Sequence, residues 1–179
     1  MNYKSDYIEF NIKSGDVLTV NRNGNLLTMN FPAYEPKIVK HSLVELYDAF
    51  GVRPTSFLYC KYGLVVFKNE EEIIKIVPNL NVIKKLSYDG IIVTAPGENV
   101  DFVSRFFAPK LGIPEDPVTG AAHCELIPYW SKRLNKKDMI AMQLSKRGGV
   151  IYCSYLNDRV NMGGEAITYM KGEILLDNI

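Results

Sequence analysis

The sequence predicts an α+β fold in which a curved, mostly antiparallel sheet wraps around one central helix. Short apolar runs separated by turn residues recur along most of the 179 residues, and this spacing is typical of antiparallel strands. One longer segment, 120–134, instead carries its apolar residues at helical spacing, namely Cys124, Ile127, Trp130 and Leu134. A single long apolar helix among many strands favours a sheet packed around that helix.

The amino-terminal part is predicted to be all strand. Three alternating runs, IEFNI, VLTVNR and LLTMNF, are separated by turn residues at 14–16 and 23–25. Asn-Gly between two apolar runs is a strong signal for a hairpin. Two prolines then close the unit. We therefore predict an amino-terminal β-hairpin segment over 1–36 and a main lobe over 37–179.

Helices and strands alternate in the next part of the chain. The first helix has Ser42 as its predicted cap, with His41 a solvated neighbour, and Gly51 lies beyond its end. The predicted elements are a short helix (42–51), one or two strands (56–68), a helix that a proline interrupts (71–86) and a buried strand (90–97).

The second half of the chain continues as a mixture of helix and strand. The aromatic run DFVSRFFAP favours extended structure. Within the predicted helix 120–134, Pro128 predicts a kink or a local break in the hydrogen-bond ladder. Four strands in meander order are predicted to follow, with turn glycines at 163–164 before the last: MQLS, VIYCSYL, RVNM and AITYM.

Composition excludes several classes of function. Lysine and arginine number 21 against 20 acidic residues, so no global charge favours nucleic acid or an anionic membrane surface. The amino terminus lacks a signal-peptide pattern, and the longest apolar runs are far shorter than a membrane span. We predict a cytoplasmic protein with no nucleic-acid or membrane partner.

The cysteines and histidines do not indicate a metal site. Cys60, Cys124 and Cys153 are too few and too scattered for a disulfide framework, and we interpret them as free, mostly buried thiols. The two histidines, His41 and His123, have no ligand at a paired spacing. We therefore predict no bound metal.

The segment GIPEDPVTGAAHCELIPYW carries the clearest chemical signal. Two prolines bracket an acidic pair that includes Asp116, so this carboxylate is held on a stiff backbone. Thr119 is a good N-cap, and Gly120 and Ala121 begin a helix with almost no side chains to cover its free N–H groups. A fixed carboxylate beside uncovered amides suits proton transfer at a substrate whose own carboxylate or enolate the amides hold.

The same residues also have a purely structural interpretation. Asp and Thr before a helix are usually caps, and a proline there is usually a stop signal. The motif alone leaves both interpretations open.

Six segments between about Ser14 and Glu173 form a recognisable set: SGDVLTV, MNFPA, DGIIVTAPG, DFVSRFFAPKLGIPEDPVTGAAHCELIPYW, QLSKRGG and DRVNMGGEA. Through these segments the chain resembles the C-terminal part of the PhzF family, a family of isomerases of the diaminopimelate-epimerase fold named after phenazine biosynthesis.

The resemblance implies a two-lobed protein whose active site lies between the amino termini of two central helices. Nothing in this sequence matches the family's catalytic glutamate and histidine, which belong to the first lobe. Asp116 matches the aspartate implicated in proton handling, and Gly120 matches the glycine of the same motif. Ala121 stands where many members have serine, so its amide could still bind an anion but a hydroxyl donor is lost.

Three functions remain open. In the first, the chain is one lobe of an isomerase or epimerase that moves a proton on a small carboxylated substrate without a cofactor, and another chain supplies the other lobe. Alternatively, it is a non-catalytic module that binds small anions, or a truncated remnant. We also predict a homodimer formed through the hairpin, because Leu26, Met29 and Phe31 are expected to be exposed there.

Overall fold

The computed structural model describes residues 5–13, 15–40 and 43–173, so the predictions for Ser14, His41 and Ser42 lie outside the described residues. The helices are α1 (Leu43–Phe50), α2 (Glu70–Lys75), α3 (Leu80–Ile83) and α4 (Gly120–Leu134). The strands are β1 (Tyr7–Asn11), β2 (Val17–Asn23), β3 (Leu26–Pro32), β4 (Lys37–Ile38), β5 (Ser56–Tyr59), β6 (Gly63–Val66), β7 (Ile91–Pro96), β8 (Phe102–Ala108), β9 (Ile113–Asp116), β10 (Asp138–Gln143), β11 (Gly149–Leu156) and β12 (Arg159–Glu165).

All of these strands belong to one mixed sheet. Its order is β1-β2-β3-β12-β11-β10-β8-β7-β6-β5-β4, with β9 paired to β8 outside this path. Strand β6 is parallel to β7 and β8 is parallel to β10, whereas the other described pairs are antiparallel. The predicted α+β class is therefore confirmed. Because β3 pairs with β12, the hairpin strands continue the sheet of the main lobe, and the division at residue 36 stays a prediction.

Helix α4 packs on one face of this sheet and organises the larger core. The Trp130 indole stacks on Phe102 with ring centroids 5.7 Å apart, and its Nε1 donates a 2.9 Å hydrogen bond to Thr94 Oγ1. Thr94 in turn donates to the Val103 carbonyl, which ties the helix to β7 and β8. The other strand residues in the same cluster are Leu58, Leu64, Val66, Ile92, Phe106, Ala108, Met139, Ala141, Ile151, Cys153, Val160 and Met162.

A second core lies on the opposite face of β5–β8. Helices α1, α2 and α3 bury apolar side chains there against strand residues that alternate with those facing α4. Strand β7 is buried on both faces, as its continuous apolar run predicts. The buried helix residues of this cluster are Leu46, Ala49, Phe50, Ile73 and Ile83, and Ile76 joins them just beyond the end of α2.

Three local predictions are wrong, and a fourth is confirmed in part. Helix α4 is continuous through Pro128, but this residue has no N–H for the Cys124 carbonyl, so the predicted local break in the hydrogen-bond ladder is present. Gly163 and Gly164 lie inside β12 instead of in a turn, and the segment AITYM forms no strand in the described residues. The acidic turn before α4 contains a short strand, β9, which pairs with β8 across a register shift.

Candidate functional site

The turn between β9 and α4 is held by one buried amide. Gln143 is fully buried at the end of β10. Its Oε1 accepts from the Thr119 N–H at 2.8 Å, and its Nε2 donates to the Asp116 carbonyl at 2.7 Å. Only one orientation of the amide satisfies both contacts, because the first needs an acceptor and the second a donor. Gln143 therefore fixes the backbone on both sides of the turn.

The same amide sets the direction of the Thr119 hydroxyl. Gln143 Nε2 also donates to Thr119 Oγ1 at 3.1 Å, so the single hydroxyl proton is left for Asp116 Oδ2 at 2.5 Å. The second oxygen of this carboxylate, Oδ1, accepts no hydrogen bond from the described residues. Asp116 is therefore held by one oxygen and keeps the other available.

Because its hydroxyl is used in this way, Thr119 does not cap the helix. It occupies the N-cap position with extended backbone angles, but its side chain makes no capping hydrogen bond. The prediction of a side-chain cap is therefore wrong. Because the cap is missing, the first N–H groups of α4 are left without a side-chain acceptor, and this favours the functional interpretation. The N–H groups of Gly120 and Ala121 have no acceptor among the described residues, so they can receive an anion.

The first of these amides, that of Gly120, lies at a cavity of about 520 Å³. Gly120 lines it, together with side chains from α4, the β10–β11 turn and strands β3, β11 and β12. Arg147 and Glu165 provide its charged groups. The lining residues are Met29, Val118, Gly120, His123, Arg147, Gly148, Gly149, Val150, Ile151, Tyr152, Met162, Gly163, Gly164 and Glu165.

His123 also lines this cavity and is fully buried. Its Nδ1 lies 2.8 Å from the Thr119 carbonyl oxygen, while its Nε2 has no hydrogen-bond partner among the described residues. Burial lowers the pKa of the imidazole to about 4, so His123 is neutral at pH 7.

Glu115, the other acidic residue of the turn, has a structural role. Arg105 forms a bidentate ion pair with it, with Nε at 2.7 Å and Nη2 at 3.1 Å from the two carboxylate oxygens. Nη1 of the same guanidinium donates to the carbonyls of Ile73 and Ile76 at the end of α2. The ion pair thus anchors β9 to the second core, and Asp116 is the acid of the pair that remains for chemistry.

The three residues predicted for the site lie within one turn of the start of α4 but face different surroundings. Gly120 lines the cavity, Ala121 is exposed, and Asp116 is half-buried at the end of β9 without lining the cavity. Sequence reasoning missed Gln143 and undervalued His123. His123 does follow Gly120 by three residues, a spacing that places both on one helix face, and this was the available signal.

Other chemistry has little support among the described residues. No group of three or more His, Cys, Asp or Glu side chains there could hold a metal ion. Cys60, Cys124 and Cys153 are free thiols, and burial raises the pKa of Cys124 to about 11 and that of Cys153 to about 12. None of the described helices has the length and apolar character needed to cross a bilayer.

Comparison with known proteins places the chain in a family. A family model described as phenazine biosynthesis-like protein, PhzC-PhzF, matches residues 2–172. The chain belongs to this PhzC-PhzF family. The match covers nearly the whole chain, so the family relationship extends further towards the amino terminus than the predicted start at Ser14.

The chain is similar to proteins that are longer than itself. An uncharacterized isomerase of Pseudomonas aeruginosa is 45% identical over 170 residues, which cover 94% of this chain and 64% of that protein. An uncharacterized isomerase of Halalkalibacterium halodurans is 38% identical over 172 residues, with the same two coverages. A PhzF-family crystal structure from Enterococcus faecalis superposes with a TM-score of 0.90 at 40% identity, covering 98% of this chain and 67% of the other. The chain therefore spans about two thirds of the length of these relatives.

Proposed function

We propose that this chain forms one half of the active site of a cofactor-independent isomerase that moves a proton on a small carboxylated substrate. The observation that carries the proposal is the pair of uncovered amides at Gly120 and Ala121, which follow a fixed Asp116 in the sequence and the first of which lines the cavity. The names of the two bacterial relatives, both isomerases, agree with this reaction class.

Asp116 is the proposed proton carrier. The hydrogen bond from Thr119 holds Oδ2, while Oδ1 accepts no hydrogen bond from the described residues and can take or give a proton. The amides of Gly120 and Ala121 bind the carboxylate or enolate oxygen of the substrate and stabilise the negative charge that develops when its proton leaves. Proton transfer by Asp116 and charge stabilisation by the two amides together need neither a metal nor an organic cofactor.

The facing half of the site is proposed to come from a second polypeptide. A single base can move a proton along one face of a substrate, but moving it between two positions or inverting a centre generally uses an acid and a base on opposite sides. The described residues offer Asp116 alone at the mouth of α4. Cross-strand pairing places Phe10 with Leu18 and Met29 with both Val20 and Met162, so these apolar residues share the sheet face on which α4 packs.

That sheet face is incompletely covered. Phe10 is 50% exposed and Met29 is 37% exposed. Leu26 and Phe31 were also expected to be exposed, but both are half-buried, and Phe31 packs against the main core. A second lobe, supplied either by another chain or by the partner in a homodimer, would cover the apolar face of β1–β3 and close the cavity. Sedimentation of the chain as a monomer at high micromolar concentration would count against the homodimer.

A non-catalytic module that binds small anions is the second candidate. It is favoured by one observation, namely that Asp116 is not among the residues that line the cavity. A module of this kind would bind carboxylates at Gly120 with an affinity that does not depend on the Asp116 side chain.

Hydrogen isotope exchange tests the proposal. The chain is incubated with small carboxylic acids in deuterated water, alone and with the segment of the Pseudomonas aeruginosa relative that lies outside the matched region. We expect exchange at the substrate α-carbon only in the mixture, and its loss in Asp116→Asn. Carboxylate binding without exchange in any mixture would support the anion-binding module instead. Exchange by the chain alone that Asp116→Asn abolishes would show that the site is complete without a second polypeptide.

A further inference from the structure

The hydrogen bond made by His123 determines which of its ring nitrogens carries the proton. A carbonyl oxygen can only accept, so Nδ1, at 2.8 Å from the Thr119 carbonyl, must be the N–H donor. Since the ring is neutral, Nε2 has no proton and presents a lone pair. His123 is thus locked as a hydrogen-bond acceptor at Nε2.

This acceptor is buried without a partner. His123 has no exposed surface, and no described residue donates to its Nε2. A buried polar atom that stays unpaired is unfavourable, so such atoms usually meet a ligand or an ordered water. The residue lines the same cavity as Gly120 and lies three residues further along the same face of α4.

We propose that His123 Nε2 accepts a hydrogen bond from the ligand, and that the cavity therefore selects small carboxylic acids that also carry a hydroxyl or N–H donor. This inference rests on the proposed anion site, since the carboxylate is taken to lie on the amides of Gly120 and Ala121. The two contacts involve different groups of one ligand. The amides need a hydrogen-bond acceptor on it, and His123 Nε2 needs a hydrogen-bond donor. An acid with both groups satisfies the site, and an acid without the donor leaves Nε2 unpaired.

Titration with matched acids tests the selection. Propanoate, lactate, glycerate and O-methyl-lactate are added to the full chain, and the amide resonances of Gly120 and Ala121 are followed together with the nitrogen-15 resonances of the imidazole. We expect lactate or glycerate to bind roughly threefold to tenfold more tightly than propanoate. O-methyl-lactate, which keeps the oxygen but cannot donate, should bind like propanoate.

Two variants identify the residue responsible. His123→Phe should bind all four acids with equal affinity, whereas His41→Phe, which changes the other of the two histidines, should keep the preference. If His123→Phe does not fold, the unaltered chain still tests the proposal. Its Nε2 resonance must be that of an unprotonated nitrogen, and this resonance must shift when the hydroxy acid binds. Equal binding of all four acids to the unaltered chain, with shifts at both amides, would overturn this inference and leave the anion site standing. No amide shift with any acid would overturn both.

Discussion

The backbone N–H of Tyr34 donates a 2.9 Å hydrogen bond to the carbonyl oxygen of Cys124, in the middle of helix α4. That carbonyl is the one that residue 128 would normally satisfy, and Pro128 has no N–H to give. The chain between β3 and β4 therefore supplies from outside the bond that the helix lacks. This explains why α4 continues unbroken through the proline, and it fixes the hairpin side of the sheet to the helix that carries the site.

A double-mutant cycle can measure this contact. Tyr34→Pro removes the donor and leaves the Cys124 carbonyl unpaired, so we expect a loss of about 1–3 kcal/mol in the free energy of unfolding. Adding Pro128→Ala restores a helical N–H to the same carbonyl and should recover part of the loss. Urea denaturation of the four proteins provides the values. Tyr34→Phe keeps the N–H and should be nearly neutral, and a loss of the same size in that variant would assign the effect to the ring instead.

Short-range patterns predicted the elements that their own residues determine. Helix α4 begins at Gly120 and ends at Leu134 as predicted, with Asn135 in the left-handed conformation just beyond. Elements that depend on a distant partner were missed or wrongly assigned. Strand β9 contains a proline and forms because β8 offers a partner, whereas AITYM has strand propensity but no described strand beside it.

For the site, too, the features set by neighbouring residues could be predicted and those set by distant residues could not. A carboxylate and free amides at the start of a helix can be read from adjacent residues, as Asp116 and Gly120 were. The support from Gln143 reaches Thr119 across 24 positions, and the sequence gives no signal for such a pairing. The unpaired Nε2 of His123 depends on which groups lie around the ring after folding, so it too required the structure.

Glu125 should make the stability of the protein depend on pH. This residue of α4 is fully buried, and its Oε1 accepts from the backbone N–H groups of Lys61 and Tyr62 in the β5–β6 turn. Burial raises its pKa to about 7, from an ordinary value of 4.5. The carboxyl is neutral in the folded protein over a range where it is charged in the unfolded chain. Stability is therefore greatest below the ordinary pKa and is lost as the pH rises through about 7.

Urea denaturation between pH 5 and pH 9 tests this direction. Glu125→Gln should flatten the profile and be more stable than the unaltered protein at pH 9, because the amide carries no charge to bury. The titratable groups that interact with Glu125 are Cys60, Lys61, Tyr62 and Cys124. Glu71→Gln, at an exposed ion pair with Lys75, is the matched control and should keep the slope. A profile unchanged by Glu125→Gln would exclude Glu125 as its cause.

Gln143 should be needed for the geometry of the turn as well as for stability. Gln143→Ala leaves the Thr119 N–H and the Asp116 carbonyl without their partner, so we expect a loss of about 2–4 kcal/mol. Gln143→Glu keeps an acceptor for Thr119 but cannot donate to Asp116 when ionised. Nuclear magnetic resonance of both variants provides the measurement. Relative to the unaltered protein, we expect the Thr119 amide resonance to shift less in Gln143→Glu than in Gln143→Ala. Equal stability of all three proteins would refute a structural role for the amide.

The last prediction asks whether anion binding at Gly120 depends on its backbone N–H or on its lack of a side chain. Gly120 is the first residue of α4, where proline is tolerated because its N–H is not used within the helix. Gly120→Pro should therefore preserve the helix while deleting one donor at the cavity. Gly120→Ala keeps the donor, and its added Cβ would lie 3.3 Å from Met162 Sδ, at the flexible end of a side chain. We expect propanoate to bind Gly120→Ala nearly as it binds the unaltered chain, and to bind Gly120→Pro roughly tenfold more weakly, as loss of one charge-assisted hydrogen bond implies.

The measurement is the chemical-shift titration of the Ala121 amide in both variants, with circular dichroism to compare their helix content. If both variants bind equally well, the carboxylate does not lie on the Gly120 amide, and the anion site must be sought elsewhere in the cavity, with Arg147 as the next donor to test.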